Sequence, residues 1–320
     1  MSFMHIWCDR AVGLALGVAL DALFADPRRG HPVAVFGRAA GRLEDRLYGD
    51  ARAPGVAHVA LCVAGAAGAG ILAERAGHPA VRTALTAAAT WAALGGTTLA
   101  REGDYLADAL EGGDVPRARA RLPHLCGRDP SGLEAPELAR ATVESLAENT
   151  SDAVVAPLFW GAVAGVPGLL AYRVINTLDA MVGHRSPRYE RFGWAAARLD
   201  DVANYVPARL TGLITVVVGP EPRRALAVLR RDGHRHPSPN AGRCEAAFAG
   251  ALGVTLGGPN VYGGRTERRP AMGDGPPPGV GDIRRAVRLT RAVGLAAAGA
   301  AVLAAALQPG VRRPKRARRA

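Results

Sequence analysis

VAHVALCVAGAAGAGILA, residues 56–73, carries no formal charge and one histidine in eighteen positions. At about 1.5 Å per helical residue it nearly crosses the roughly 30 Å of hydrocarbon in a bilayer. Working outward, 287–307 repeats the pattern with Ala, Val, Leu and Gly after its first few residues, 79–100 has one arginine near its start, and 153–172 is apolar but for its prolines and ends. Weaker blocks lie near 8–24 and 205–219. The expected fold is therefore all-α: a polytopic integral membrane helical bundle with polar cytoplasmic loops and short amphipathic helices. Residues 1–310 form one membrane-embedded catalytic domain and 311–320 a basic tail. The rival is a soluble bundle of Ala- and Gly-rich helices. The mean hydropathy of +0.06 is low for a membrane protein, but long Arg-rich connections dilute the average without removing the blocks.

Forty Lys and Arg against 28 Asp and Glu give a net charge of +12. Lysine occurs once, at Lys315, the arginines are spread through every loop, and aromatics make up 5% of residues. No basic stripe interleaved with stacking rings exists, so nucleic acid is excluded as a partner. The run Arg312, Arg313, Lys315, Arg316, Arg318, Arg319 follows an apolar block, which predicts a cytoplasmic C-terminal end. Cysteines 8, 62, 126 and 244 are scattered without metal-ligand spacing, as expected of reduced thiols. The first block has no small-residue cleavage site and reads as a first membrane helix. One difficulty remains: if all six blocks crossed, the loops would alternate sides, yet nearly all carry excess arginine. At least one block must re-enter or pack inside, and 153–172, with Pro157 and Pro167, is the best candidate.

Three polar stretches can carry chemistry. In Glu144-Ser-Leu-Ala-Glu148-Asn149-Thr-Ser-Asp152 the acids fall four apart on one helix face beside an apolar block. Such carboxylates repel unless a cation sits between them, and Mg²⁺ with a substrate phosphate is the natural candidate; a solvated acidic face is an equal alternative on spacing alone. Asn176-Thr-Leu-Asp179 is followed by Arg185, Arg188 and Tyr189, an amide and acid three apart with arginines suited to a phosphate. Arg198-Leu-Asp200-Asp201-Val-Ala-Asn204, with Arg209 beyond, places an acid pair near lipid, where unpaired charge is costly and function is the better reading. Weaker signals are Asp26 with His31, and His236 with Asn240. No phosphate loop of the GxxxxGK[ST] type exists.

VESLAENTSDAVVAPLFW (143–160), YRVINTLDAMVGHRSPRYERFGWAAARLDDVANYVPARLT (172–211) and HPSPNAGRCEAAFAGALGVTLGGPNVYGG (236–264) together resemble the cobalamin-biosynthesis CobD/CbiB family, and DALFADPRRGHPVAVFGR (21–38) fits the same pattern. Arg243-Cys244 stands where that pattern has an aromatic and a proline, and Ala180 and His184 replace a small hydroxyl and an aromatic.

The resemblance implies a multi-pass enzyme of the bacterial inner membrane with its active site facing the cytoplasm. It implies an amide-forming ligase of the adenosylcobinamide-phosphate synthase type, which joins aminopropanol or its O-phosphate to the propionate of adenosylcobyric acid with ATP and Mg²⁺. Glu144, Glu148, Asp152, Asp179, Asp200 and Asp201 are then the expected catalytic acids. Glu148, Asp152, Asp200 and Asp201 would hold Mg²⁺. Asp26, His31, Asn149, Asn176, Arg185, Arg188, Tyr189, Arg198, Asn204, Arg209, His236 and Asn240 would bind substrates, and other corrinoid-pathway enzymes are candidate partners. Two further readings stand beside it: a membrane prenyl or alcohol-phosphate transferase using Glu148-Asn-x-x-Asp152 and Asp200-Asp-x-x-Asn204, and a non-catalytic membrane scaffold for corrinoid enzymes.

Overall fold

The computed structural model describes residues 4–27, 30–184, 186–262 and 265–308. Helices α1 (Met4–Phe24), α3 (Arg52–Glu74), α4 (Pro79–Ala93), α8 (Ala156–Leu178) and α13 (Val280–Leu307) form an apolar bundle. Around one end of it gather α2 (Pro32–Leu47), α5 (Gly96–Glu111), α6 (Val115–Arg121), α7 (Ala135–Thr150), α9 (Trp194–Ala203), α10 (Tyr205–Val218), α11 (Pro222–Asp232) and α12 (Ala241–Leu252). Strands β1 (Leu256–Tyr262) and β2 (Arg265–Met272) pair antiparallel, with Gly258 opposite Arg269 and an irregularity after Leu256.

Among the described residues, three helical stretches are long and apolar enough to cross a membrane: Arg52–Glu74, a stretch within Ala135–Gly183, and Val280–Leu307. Leu61, Leu72, Leu295 and Leu303 on α3 and α13 face outward and exposed, as a lipid-facing surface requires. α1 is long enough but carries Asp9, Arg10 and Asp21. Neighbouring helices pair the first two and bond one oxygen of the third: Arg82 pairs with Asp9 at 2.6 Å, Glu74 with Arg10 at 3.0 Å, and Thr97 donates its amide and hydroxyl to Asp21 Oδ2 at 3.1 and 3.0 Å. α1 also lies close on α4, where a Cβ on Gly13 or Gly17 would fall 2.6 or 2.3 Å from Thr86 or Thr90.

Three of the six expected spans, 8–24, 79–100 and 205–219, are not among those stretches, and the last two also differ in their bounds or course. The block 79–100 breaks after Ala93, because Gly95 leaves the helix to donate its amide to the Ala153 carbonyl at 3.1 Å, and polar α5 begins at Gly96. The block 205–219 is α10, whose fourteen residues reach only about 21 Å. It packs on α11, α12 and α13 rather than traversing the bundle.

The block 153–172 reverses direction. Gly165 adopts φ +66, ψ −155 inside α8, and a Cβ on Gly168 would sit 2.9 Å from the carbonyl of Trp160, although eight helical residues normally separate atoms by about 12 Å. α8 is thus a helical hairpin with its tip at Gly165. Pro167 opens the returning arm, where its missing N–H costs nothing. The tip is sealed by groups from three helices: Glu74 accepts the Val166 amide at 3.1 Å, Arg10 pairs with Glu74, and Gln308 donates to the Ala162 carbonyl at 3.1 Å.

The reversal resolves the arginine problem. Each long connection, between α1 and α3, α4 and α8, and α8 and α13, emerges at the end opposite the hairpin tip, while the tip end holds the short link from α3 to α4 and the turn at Gly165. It also separates two expectations. α13 starts at the polar end, where Arg284 pairs with Glu111, and its last described neighbour, Gln308, lies at the tip. A cytoplasmic polar end and a cytoplasmic C-terminal end therefore cannot both hold if α13 crosses once. The basic tail itself, 311–320, lies outside the described residues.

A side chain at 165 meets two obstacles, a φ that only glycine adopts freely and Glu74 Oε1 within 1.9 Å of the Cβ position. Gly165→Ala is expected to cost on the order of 2–3 kcal/mol or more, read as a lowered melting temperature in detergent. Gly68→Ala, where a Cβ meets nothing within 4 Å, should leave it within about 0.5 kcal/mol of wild type.

Candidate functional site

The two arms of the hairpin end, away from its tip, in π-helical turns, Ser151–Val155 and Asp179–Gly183. Such turns widen the helix and re-aim side chains, and here each carries an acid in its first two positions, Asp152 and Asp179. Because the chain has doubled back, Asn176 Nδ2 approaches Asp152 Oδ2 at 3.4 Å, and the Tyr172 hydroxyl reaches the Asp152 carbonyl at 3.2 Å and Asn204 Oδ1 at 2.8 Å. Asn204 is buried and turns its amide to Asp200 Oδ2 at 3.0 Å. α7, the π turn, the returning arm and α9 thus deliver Glu148, Asp152, Asn176, Asp200 and Asn204 to one place.

Glu148 and Asp152 border a cavity of about 350 Å³ and, with Asp200 and Asn204, a side chamber of about 30 Å³; Ser238 also lines both. The chamber has room for about one water or small ion and is walled also by Ser151, Asp200 and Asn204. Asp200 Oδ1 is buried there without a hydrogen-bond partner. Burial pushes the Asp200 carboxyl up to about 7, helped by the charge of Asp179 and opposed by the Asn204 amide. Glu148 is exposed into the cavity. Among the described residues no three His, Cys, Asp or Glu side chains converge closely enough to close a metal site. What exists is an oxygen-rich half-site of the kind Mg²⁺ uses when substrate phosphates complete its shell.

The cavity lining also carries basic groups. Arg128, Arg269 and His236 lie there with Asn149, Glu245 and Asn260. His236 sits against the Arg269 guanidinium, and burial followed by that charge holds its pKa down to about 4, so the ring is neutral at pH 7. Burial, with Glu144 and Glu148 nearby, pushes the Glu245 carboxyl well above the usual carboxylate range. Glu144 belongs to the frame. Its Oε2 takes Arg128 at 2.6 Å, and its Oε1 takes Arg140 at 3.1 Å and the Gly257 amide at 2.7 Å. Arg140 also donates to the Gly257 and Pro259 carbonyls and to Asn260 Oδ1. This buried network fixes β1 over the cavity.

The remaining expected residues lie around this centre or away from it. The Asp201 carboxylate pairs with Arg198 at 3.5 Å on the outer side of α9, while its carbonyl accepts Asn240 Nδ2 at 2.8 Å, and the Arg198 side chain is two-thirds exposed. Arg209 lies over the Tyr205 ring and reaches Asn240 Oδ1 at 3.4 Å. Arg188 and the Tyr189 hydroxyl both bond Glu44 on α2 at 3.0 Å, a clamp that holds 186–193 and does not enter the cavity. Asp26 and His31 pair at 3.3 Å behind the π turn. Burial raises the Asp26 carboxyl, but hydrogen bonds from His31 and Thr98 and the charge of Arg173 bring it below its ordinary value. Arg185 lies outside the described residues. Sequence reasoning passed over Arg128, Glu245, Arg269 and Tyr172. Glu245 and Tyr172 stood inside the quoted motifs, whereas Arg128 and Arg269 stood among many loop arginines with nothing in the local pattern to mark them.

Asp200 gives a pH test. Its folded pKa near 7 lies above the ordinary 3.8, so its contribution to stability is full below pH ~4 and is lost as pH rises towards 7. In EDTA the wild-type melting temperature is expected to fall by on the order of 2–5 °C between pH 5 and pH 8, and the fall should be smaller in Asp200→Asn.

The family model described as CobD/Cbib protein matches residues 14–290. The Cobalamin biosynthesis protein CobD of Mycobacterium bovis is 57% identical over 309 residues, covering 95% of this chain and 98% of its own. Proteins of the same description from Geobacter metallireducens and Rhodobacter capsulatus are each 46% identical, covering 80% and 88% of this chain and 84% and 90% of their own. No solved structure matches. The chain belongs to the CobD/CbiB family of cobalamin biosynthesis proteins.

Proposed function

We propose that the cavity joins a carboxylate to an amine: it converts adenosylcobyric acid to adenosylcobinamide or its phosphate, linking aminopropanol or its O-phosphate to the propionate with ATP and Mg²⁺. One observation carries the reading. A carboxylate-walled chamber and an arginine-lined wall open into the same cavity at the polar end of a membrane bundle. A carboxylate does not condense with an amine in water until it is activated, and activation as an acyl phosphate needs groups that hold a polyphosphate beside groups that hold its cation. The volume of about 350 Å³ suits phosphates and a small amino alcohol. A corrin is too large to be enclosed, so it would lie at the mouth and extend its propionate inward.

Glu148, Asp152 and Asp200 would hold Mg²⁺, with Asn204 orienting Asp200; Asp201 faces outward and is not part of this set. The ion would offset charge on the transferred phosphoryl group. Arg128 and Arg269 would hold phosphate oxygens through charge-assisted hydrogen bonds. Glu245, raised by its surroundings, is basic enough when ionised to take the proton that the ammonium must lose before its nitrogen attacks. Neutral His236 adds no positive charge to repel that ammonium.

The Arg-rich connections gather at the cavity end, and positively charged short loops are retained inside. The cavity would thus face the cytoplasm, where ATP is, and the hairpin tip the outer side. A reporter fused after residue 320 is expected to read as external. A cytoplasmic reading would reverse this orientation or remove α13 as a single crossing.

The reaction is tested by purified protein with adenosylcobyric acid, aminopropanol phosphate, ATP and Mg²⁺, following the amide product by mass. Glu148→Gln and Asp152→Asn are expected to lower kcat by about 10²-fold or more while folding normally, and Asp201→Asn to change it by less than about tenfold. Product formed without ATP, or full activity in Glu148→Gln, would defeat the proposal.

A further inference from the structure

A second cleft, of about 440 Å³, opens between α1, α5, α13 and the descending arm of the hairpin. Its lining changes character along the bundle axis. Towards the cavity end it presents Asp21, Thr97, Arg101 and Arg291, and towards the tip Val18, Leu158, Leu295 and Ala298. Asp21 is 7% exposed; its Oδ2 accepts the Thr97 amide and hydroxyl, and its Oδ1 is buried with no hydrogen-bond partner. Arg101 is exposed, and Arg291 reaches past its 2.7 Å pair with Asp104 to the same rim. Leu295 is 75% exposed at the mouth, so the cleft opens on the outer, lipid-facing surface of α13.

We propose that this cleft binds one phospholipid with an aminoethyl phosphate head, its phosphate between Arg101 and Arg291 and its ammonium directed to the Asp21 carboxylate. Three observations support this occupant. The buried oxygen of Asp21 lacks a donor, and an uncompensated polar atom in such a place is costly. Arg101, with Arg291 shared between the rim and Asp104, stands beside the Asp21 carboxylate and complements a zwitterion, whereas a purely anionic head would leave Asp21 without its partner. The polar-to-apolar order matches a lipid of the leaflet nearest the catalytic cavity. From Arg291 to Ala298 the wall runs about 10 Å along α13, enough for the upper part of an acyl chain. The bound lipid would also brace the π turn from behind, since Val154 of that turn lines the cleft and Thr290 of α13 bonds Thr150 at 2.9 Å. The inference rests on the membrane fold and not on the reaction performed in the cavity, so either can fail alone.

Native mass spectrometry of the full chain in detergent, titrated with phosphatidylethanolamine, phosphatidylglycerol and free phosphoethanolamine, tests it. Wild type is expected to bind phosphatidylethanolamine about tenfold more tightly than phosphatidylglycerol, Arg101→Gln to weaken both by about tenfold, and Asp21→Asn to erase the preference. Equal binding of the two lipids by wild type, displacement of lipid by phosphoethanolamine at equal concentration, or wild-type affinity in Arg101→Gln would each overturn it. Arg101 is exposed, so its variant keeps the test decisive should Asp21→Asn fail to fold.

Discussion

The whole arrangement hangs on the backbone at Gly165. A chain that reverses inside an apolar bundle leaves amides and carbonyls that hydrocarbon cannot satisfy, so the turn exists only because Glu74 and Gln308 bond its loose ends and Arg10 balances Glu74. A short connection and a charge on each of two neighbouring helices thereby fix the depth of the tip. That depth fixes the level at which the other ends of the two arms emerge. Asp152 and Asn176, twenty-four residues apart, meet as a consequence.

At those other ends the electrostatics divide into two kinds. Glu144, Arg128 and Arg140 form a buried set in which both carboxylate oxygens are bonded, and the set holds β1 in position. Removing one partner from such a set leaves a buried charge uncompensated, which costs more than the pair contributes. Glu148, Asp152 and Asp200, on the cavity side, have amides and hydroxyls nearby: Asn176 reaches Asp152, Asn204 bonds Asp200, and Ser151 and Ser238 line the same chamber. Along one stretch of helix, then, Glu144 is held by two guanidiniums while Glu148 and Asp152, four and eight residues on, line both the cavity and its side chamber.

Much of this was legible in the sequence. The apolar blocks at 56–73 and 287–307 became α3 and α13 because length and the near-absence of charge are sufficient for such a helix, and the excess of arginine in every loop already required one block to fold back. The three acids spaced four apart from Glu144 to Asp152 all line the cavity. The spacing could not tell that Glu144 is held by Arg128 and by the Gly257 amide, more than a hundred residues away in the latter case, because partners brought by tertiary packing leave no local mark. The same reason hid Arg128 and Arg269 among forty basic residues. It also made Arg188 and Tyr189 look like substrate ligands, when Glu44 on α2 takes them both. α10 misled by composition: a helix covered by buried, Ala-rich α12 reads like a span until its fourteen residues are measured.

Division of labour between the two ends follows from these same constraints. The tip end must be short and internally satisfied, so it offers small residues and a few matched polar groups. The other end receives every long connection and can therefore gather side chains from α7, α9, α12 and β2 around one cavity. Placing Asp152 on a π turn at the end of a hairpin arm ties it to the bundle while leaving it at the cavity wall. A charge deeper among the arms would be too costly, and one carried on a free loop would not be held in place.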